Sequence, residues 1–184
     1  MARSKRAWGW HELDRRWAER LVGDAGLRPG ALVVDVGAGH GAITAALLDA
    51  GTRVIAVELH PERADALRRR FGDRVTVVRA DAADLRLPRR PFHVVANPPF
   101  ATTSALLRRL LAPGSRLTSA RIVVQHHAAL RWSGPSAPAS GRWARDFDVT
   151  AARRIPRTAF SPRPRVDTRV LRIDRRHPGR RLVR

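Results

Sequence analysis

The chain has 184 residues, enough for one domain with a real core and too few for two ordinary ones. Its 36 Lys and Arg against 16 Asp and Glu leave +20 at pH 7, and Lys5 is the sole lysine, so 35 of these bases are arginine. A hydrophobic share of 43% excludes a wholly disordered basic tail, and the absence of cysteine excludes disulfides, thiol catalysis and thiolate zinc sites.

A GC-rich genome accounts for arginine in place of lysine. It does not account for the net charge, because the same bias supplies Asp freely. A polyanion explains +20 better than a membrane surface or solubility alone, and nucleic acid is the commonest polyanion. No apolar run approaches the ~18 residues of a membrane span. The opening Met-Ala-Arg-Ser-Lys-Arg leads into Trp and charge instead of an apolar signal core, so no membrane contact and a cytoplasmic location are expected.

In chain order, residues 1–10 form a basic segment. His11 to Gly26 then places Leu13, Trp17 and Leu21 at i, i+4 and i+8, which predicts an amphipathic helix with Arg15, Arg16 and Arg20 towards solvent or a partner. From Ala31 short apolar runs alternate with helical patterns, the mark of parallel β/α units. The predicted strands are Leu32–Val36, Val54–Val57, Val75–Val78, His93–Ala96, Ile122–Gln125 and Arg169–Ile173. Ala42–Ala50 reads as a helix, and Pro61 sits at the first helical position before Ala64, Leu67 and Phe71. A third helix has Thr102 and Thr103 as cap candidates, then Leu106, Leu107, Leu110 and Leu111, closed by Pro113-Gly114.

These elements predict an α/β fold, a single doubly wound sheet over residues 11–174. Ser133–Gly141, made of turn and small residues, is expected to be a mobile loop. Residues 151–184 hold 12 Arg against Asp167 and Asp174, a local +10, and residues 175–184 read as a basic, disordered tail.

Two constellations carry chemistry. Val33-Val-Asp-Val-Gly37-Ala-Gly39-His-Gly41 ends a predicted strand and opens a helix. Glycines there let the backbone approach a ligand, while the helix N-terminus faces a polar or anionic group. Glu58 follows the next strand, 21 residues after Gly37, where a carboxylate can accept both hydroxyls of a ribose. Together they indicate a nucleoside cofactor, with NAD and S-adenosylmethionine both open.

Asn97-Pro98-Pro99-Phe100 decides between them. It follows the fourth predicted strand, at the sheet edge where such folds bind ligands. Two prolines stiffen the backbone, so the Asn97 amide and the Pro98 carbonyl can both accept from one exocyclic –NH2 group. Drawing a conjugated amine towards tetrahedral geometry frees its lone pair for attack on a sulfonium methyl. Phe100 offers a face on which a base stacks, worth ~1–3 kcal/mol. The plainer alternative for this motif is an ordinary strand-to-helix turn.

These residues, with Asp81 in Arg-Ala-Asp-Ala and the block Pro156-Arg-Thr-Ala-Phe-Ser-Pro-Arg-Pro-Arg-Val-Asp167, resemble the rRNA adenine N6-methyltransferases, closest to their erythromycin-resistance branch. The resemblance runs from about residue 11 to residue 173. It implies a class I methyltransferase fold and S-adenosylmethionine as cofactor. Gly37, Gly39 and Gly41 would wrap the methionine part, Glu58 the ribose, and Asp81 with Ala82 the cofactor adenine. Asn97 and Pro98 would hold the target N6 amine of 23S ribosomal RNA, and Phe100 would stack on the base. Phe160 matches an aromatic that closes over the base, or else anchors the core.

Two departures stand out. Where the family has Gln-Asn-Phe-Leu, the stretch after His11-Glu-Leu reads Asp14-Arg-Arg-Trp-Ala18, placing Arg16 and Ala18 at cofactor-contacting positions. The family's helical C-terminal domain is not expected within this chain, so RNA grip is expected from the arginine tail and from Arg15 and Arg16. His126-His127 is not a metal pair, because neighbours in a strand point to opposite faces. No metal is expected, and the protein is expected to be a monomer. Rival readings are a protein-glutamine or DNA adenine N-methyltransferase, and a non-catalytic, cofactor-binding RNA assembly factor.

Overall fold

A computed structural model describes residues 11–176. In chain order the elements are strand β1 (Glu12–Leu13), helix α1 (Arg15–Gly23), β2 (Leu32–Val36), α2 (Ala42–Asp49), β3 (Arg53–Val57), α3 (Pro61–Phe71), β4 (Val75–Val78), β5 (Phe92–Ala96), α4 (Thr103–Leu110), β6 (Leu117–Gln125), α5 (His126–Ser133), α6 (Ser140–Trp143), β7 (Phe147–Ile155), β8 (Phe160–Ser161) and β9 (Thr168–Arg175).

Among the described residues, seven strands form one sheet in the order β4-β3-β2-β5-β6-β9-β7. Strands β4 to β6 pair in parallel, whereas β9 runs antiparallel between β6 and β7. The parallel centre explains the apolar runs. Every residue of β2 is buried, because helices cover both faces of such a sheet. One face packs Leu106, Leu107 and Leu110 of α4 with Trp132 and Trp143. The other packs Leu21 of α1, Leu47 of α2 and Leu67 and Phe71 of α3. Each fully buried leucine contributes roughly 1.5–3 kcal/mol relative to exposure.

Because β2 to β5 are parallel, the turns after them gather at one sheet edge. The order β3-β2-β5 sets the glycine loop between the Glu58 turn and the Asn97 turn.

The six predicted strands are present, but several expectations need correction. The first helix begins only after Asp14, whose carboxylate accepts the Trp17 N–H at 2.8 Å as an N-cap, so Leu13 belongs to β1. Thr102 precedes α4, but its hydroxyl donates to the Pro99 carbonyl at 2.8 Å instead of capping the helix. Ser133–Gly141 is no free loop: Ala137 is buried in the core, and the Trp143 indole donates to the Pro138 carbonyl at 2.9 Å. His126 and His127 open α5 and do not lie in a strand. No metal-binding cluster exists among the described residues, and none of their helices is long and apolar enough to cross a membrane.

Strand β7 was not foreseen. It is one edge of the sheet, only its end residues Phe147 and Ile155 are buried, and Arg153 and Arg154 interrupt it, so it lacks the apolar signal of its neighbours. Two residues of the expected tail, Arg175 and Arg176, belong to the fold. Arg175 ends β9, donates to the carbonyls of Leu117 and Ser115 at 2.7 and 2.6 Å and lies over the Phe147 ring, and Arg176 pairs with Asp148 at 2.6 Å. The expected basic segment 1–10 and the rest of the tail, 177–184, lie outside the described residues.

Candidate active site

The glycine loop turns through three left-handed residues, with φ of +76° at Gly37, +57° at Gly39 and +87° at Gly41. Only glycine adopts such a series without strain. Gly37 and Ala38 both donate to the Val57 carbonyl, at 2.8 and 3.0 Å, which seats the loop beside the end of β3. A Cβ on Gly37 would lie 3.1 Å from Pro98 Cα and 3.2 Å from Pro99 Cδ. The loop and the Asn97 turn therefore touch backbone to backbone.

Glu58 is 3% exposed and fully engaged. Its Oε2 accepts the Gly39 N–H at 2.9 Å, and its Oε1 accepts the His60 N–H at 2.8 Å and the Arg63 guanidinium at 3.0 Å. Asp81 caps its own turn by accepting the Ala83 N–H at 2.8 Å, with Ala82 buried beside it. Gly37, Glu58, Arg63, Asp81, Ala82, Pro99 and Thr102 line a cavity of about 40 Å³.

Across Gly37 lies a second cavity of about 20 Å³, lined by Glu12, Leu13, Asp35, Gly39, His40 and Asn97. Asp35 is fully buried. The Thr44 hydroxyl donates to its Oδ2 at 2.6 Å, while its Oδ1 has no hydrogen-bond partner among the described residues. Burial pushes its pKa up to about 7, against the opposing Thr44 hydrogen bond. A buried carboxylate oxygen left open beside a glycine loop suits a cationic ligand group.

Asn97 is half-buried. Its Nδ2 donates to the His11 carbonyl at 2.7 Å, which leaves Oδ1 as an acceptor. The His11 ring lies 5.6 Å from the Phe100 ring at 31°, and its Nδ1 donates to the Pro162 carbonyl at 2.7 Å. Strand β1 pairs antiparallel with β8, Leu13 opposite Phe160, so the Pro156–Asp167 block is laced to the N-terminal segment beside the turn. Glu12 reaches His40 of the glycine loop at 3.1 Å.

Gly37, Gly39, Glu58, Asp81, Ala82, Asn97, Pro98 and Phe100 thus cluster at one sheet edge as the sequence implies, with Gly41 opening α2 behind them. Phe160, Arg15 and Arg16 do not join them. Phe160 is 4% exposed and packs in the core cluster that also holds Leu13 and Ile155, the place its core-anchoring alternative expects. Arg15 points to solvent, paired with Glu19 at 2.7 Å, and Arg16 is exposed on α1. Ala18, a cofactor-contact position by family resemblance, is buried in the core. Asp35, Arg63 and His11 were missed as site residues. Asp35 had a signal, an acid amid the valines of a buried strand; the other two had none.

Size does not mark this site. Larger cavities of about 620 and 670 Å³ lie between α2, the end of α3 and β8, and over β2–β4. The buried polar groups and the cradle of positive-φ glycines mark the smaller pair of cavities instead.

The strand order, glycine loop and acid after β3 define a class I methyltransferase fold. The ribosomal RNA adenine dimethylase family matches residues 10–181, and the chain belongs to that family. It is 38% identical over 180 residues to the mycinamicin-resistance protein MyrB of Micromonospora griseorubida, covering 91% of this chain and 56% of that one. It is 34% identical over 194 residues to the ribosomal RNA small subunit methyltransferase A of Anaeromyxobacter dehalogenans strain 2CP-C, covering 92% and 66%. The crystal structure of the 23S rRNA methyltransferase ErmE superposes with a TM-score of 0.76 at 30% identity, covering 89% of this chain and 68% of that one. The chain therefore spans between half and two thirds of the curated relatives it matches.

Proposed function

We propose that this domain transfers a methyl group from S-adenosylmethionine to N6 of an adenosine in 23S ribosomal RNA, and so confers resistance to macrolide-type antibiotics. The observation that carries the reading is the chain's only asparagine, Asn97, oriented at the sheet edge with Oδ1 left as an acceptor beside the glycine loop. Family membership, the mycinamicin-resistance relative and the +20 charge support it.

The donor groups fit the cofactor: Glu58 would take the ribose hydroxyls, Asp35 Oδ1 the ammonium group, and Asp81 with the Ala82 backbone the adenine. S-adenosylmethionine, when bound, supplies an electrophilic methyl on its sulfonium. Asn97 Oδ1 and the Pro98 carbonyl accept the two N6 hydrogens of the target, localising the nitrogen lone pair, and Phe100 stacks on the base. Catalysis by these residues is positioning and electrostatics. The two small cavities are too tight for a nucleoside, so cofactor entry displaces side chains that line them, Arg63 foremost. The protein acts as a cytoplasmic monomer on RNA.

Incubation with tritiated cofactor and separate naked 23S and 16S RNA tests this. N6-methyladenosine in 23S RNA is expected. Label confined to 16S RNA would place the chain with its small-subunit relatives, and label on protein or DNA would overturn the RNA reading.

A further inference from the structure

The family resemblance assigns no role to His11, which stands just before the stretch Asp14–Ala18 that departs from the family's Gln-Asn-Phe-Leu block. The structure gives His11 two contacts on the Asn97 turn and one on the Pro-rich block. Its carbonyl accepts the Asn97 amide at 2.7 Å. Its ring packs against Phe100 with centroids 5.6 Å apart. Its Nδ1 donates to the Pro162 carbonyl at 2.7 Å, tying it to the Pro-rich block. The two hydrogen bonds reach across 86 and 151 residues of sequence, so they are made by the tertiary fold alone.

An asparagine amide can flip, exchanging its acceptor for its donor at almost no intrinsic cost. At a site that must accept hydrogens from a target amine, a flipped Asn97 would present Nδ2–H and repel the substrate. The His11 carbonyl removes that state, because it can only accept. Its place is set in turn by the imidazole anchor at Pro162 and by the β1–β8 ladder, Glu12 opposite Ser161. We propose that His11 is a positioning residue of the target-base site: it fixes the Asn97 rotamer with Oδ1 towards the cleft and braces Phe100 against tilting. The inference rests on Asn97 being the target-amine acceptor.

Asn97 is the sole asparagine and Gln125 the sole glutamine, so the 1H–15N spectrum of the full chain holds only two side-chain carboxamide pairs. In the wild type the Asn97 pair is expected to be split, with one proton shifted downfield and slow to exchange. In His11→Ala it collapses towards free values, kcat at saturating RNA falls about 10- to 100-fold, and cofactor affinity stays within about two-fold. His11→Asn places an amide where Nδ1 stood, restores the bond to Pro162 and recovers most of kcat. His11→Phe keeps the ring contact without that bond and recovers less. An unchanged carboxamide pair in His11→Ala, or a fall in kcat matched by equal falls in cofactor affinity and Tm, overturns the proposal. If the wild type methylates no RNA the proposed function fails, yet the carboxamide spectrum still decides the role of His11.

Discussion

Replacing Gly37 by alanine perturbs a point where the glycine loop and the Asn97 turn meet. At φ +76° an alanine is strained by ~1–2 kcal/mol. Its Cβ would also lie 3.1 Å from Pro98 Cα and 3.2 Å from Pro99 Cδ, some ~0.4 Å closer than carbons rest. Neither neighbour is the end of a flexible side chain, so relief requires the turn to move. Overpacking of this kind adds ~1 kcal/mol or more. A total of ~2–3 kcal/mol lowers Tm by about 5–10 °C in a domain of this size. Shifting Asn97 by a few tenths of an ångström is expected to slow methyl transfer about ten-fold, since ~1 Å of misplacement can cost ~100-fold. Gly30→Ala is the control: its φ is +78° and a Cβ there meets nothing within 4 Å. It should lose stability from backbone strain alone and keep its turnover. Thermal unfolding and single-turnover methylation, corrected for folded fraction, measure both. Equal turnover in the two variants would refute the claim that loop and turn are coupled through Gly37.

Three further outcomes are expected. Asn97→Ala should reduce turnover at least 100-fold while cofactor affinity, measured by calorimetry, falls far less. Asp35 has a folded pKa raised to about 7 from the usual 3.8, so its stabilising contribution is complete below about pH 4 and is lost as pH rises through about 7. Stability from this group therefore falls between about pH 4 and pH 7, by ~4 kcal/mol at most, and the wild-type-minus-Asp35→Asn difference in urea unfolding should show that slope. A flat difference would remove the burial argument. Deleting residues 177–184, which carry Arg180, Arg181 and Arg184, should weaken RNA binding and lower the slope of log affinity against log salt by ~2–3. Filter binding across a salt series measures it, and an unchanged slope would assign these arginines to codon usage.

The glycine loop and the turns beside it were legible because they are local. A buried parallel strand writes itself as a run of valines, and the turn after it must be glycine where φ is positive, so Gly37, Gly39 and Gly41 could be read directly. Glu58 and Asn97 follow from the same rule applied to β3 and β5. The arginine surface was legible only as a total. In the structure Arg153 pairs with Asp24, Arg157 with Asp167 and Arg176 with Asp148, so several bases counted for RNA are engaged within the fold.

The sequence by itself determined the α/β class and the strand ends at which Gly37, Glu58 and Asn97 stand, because periodicity and turn stereochemistry depend on near neighbours. Only the tertiary structure decided that Phe160 faces the core, that β7 closes the sheet edge, and that His11 holds the Asn97 amide. Those outcomes depend on which distant segments share a sheet edge, and the hydrogen bond that orients Asn97 comes from a backbone carbonyl, a group that every residue carries and no sequence pattern marks.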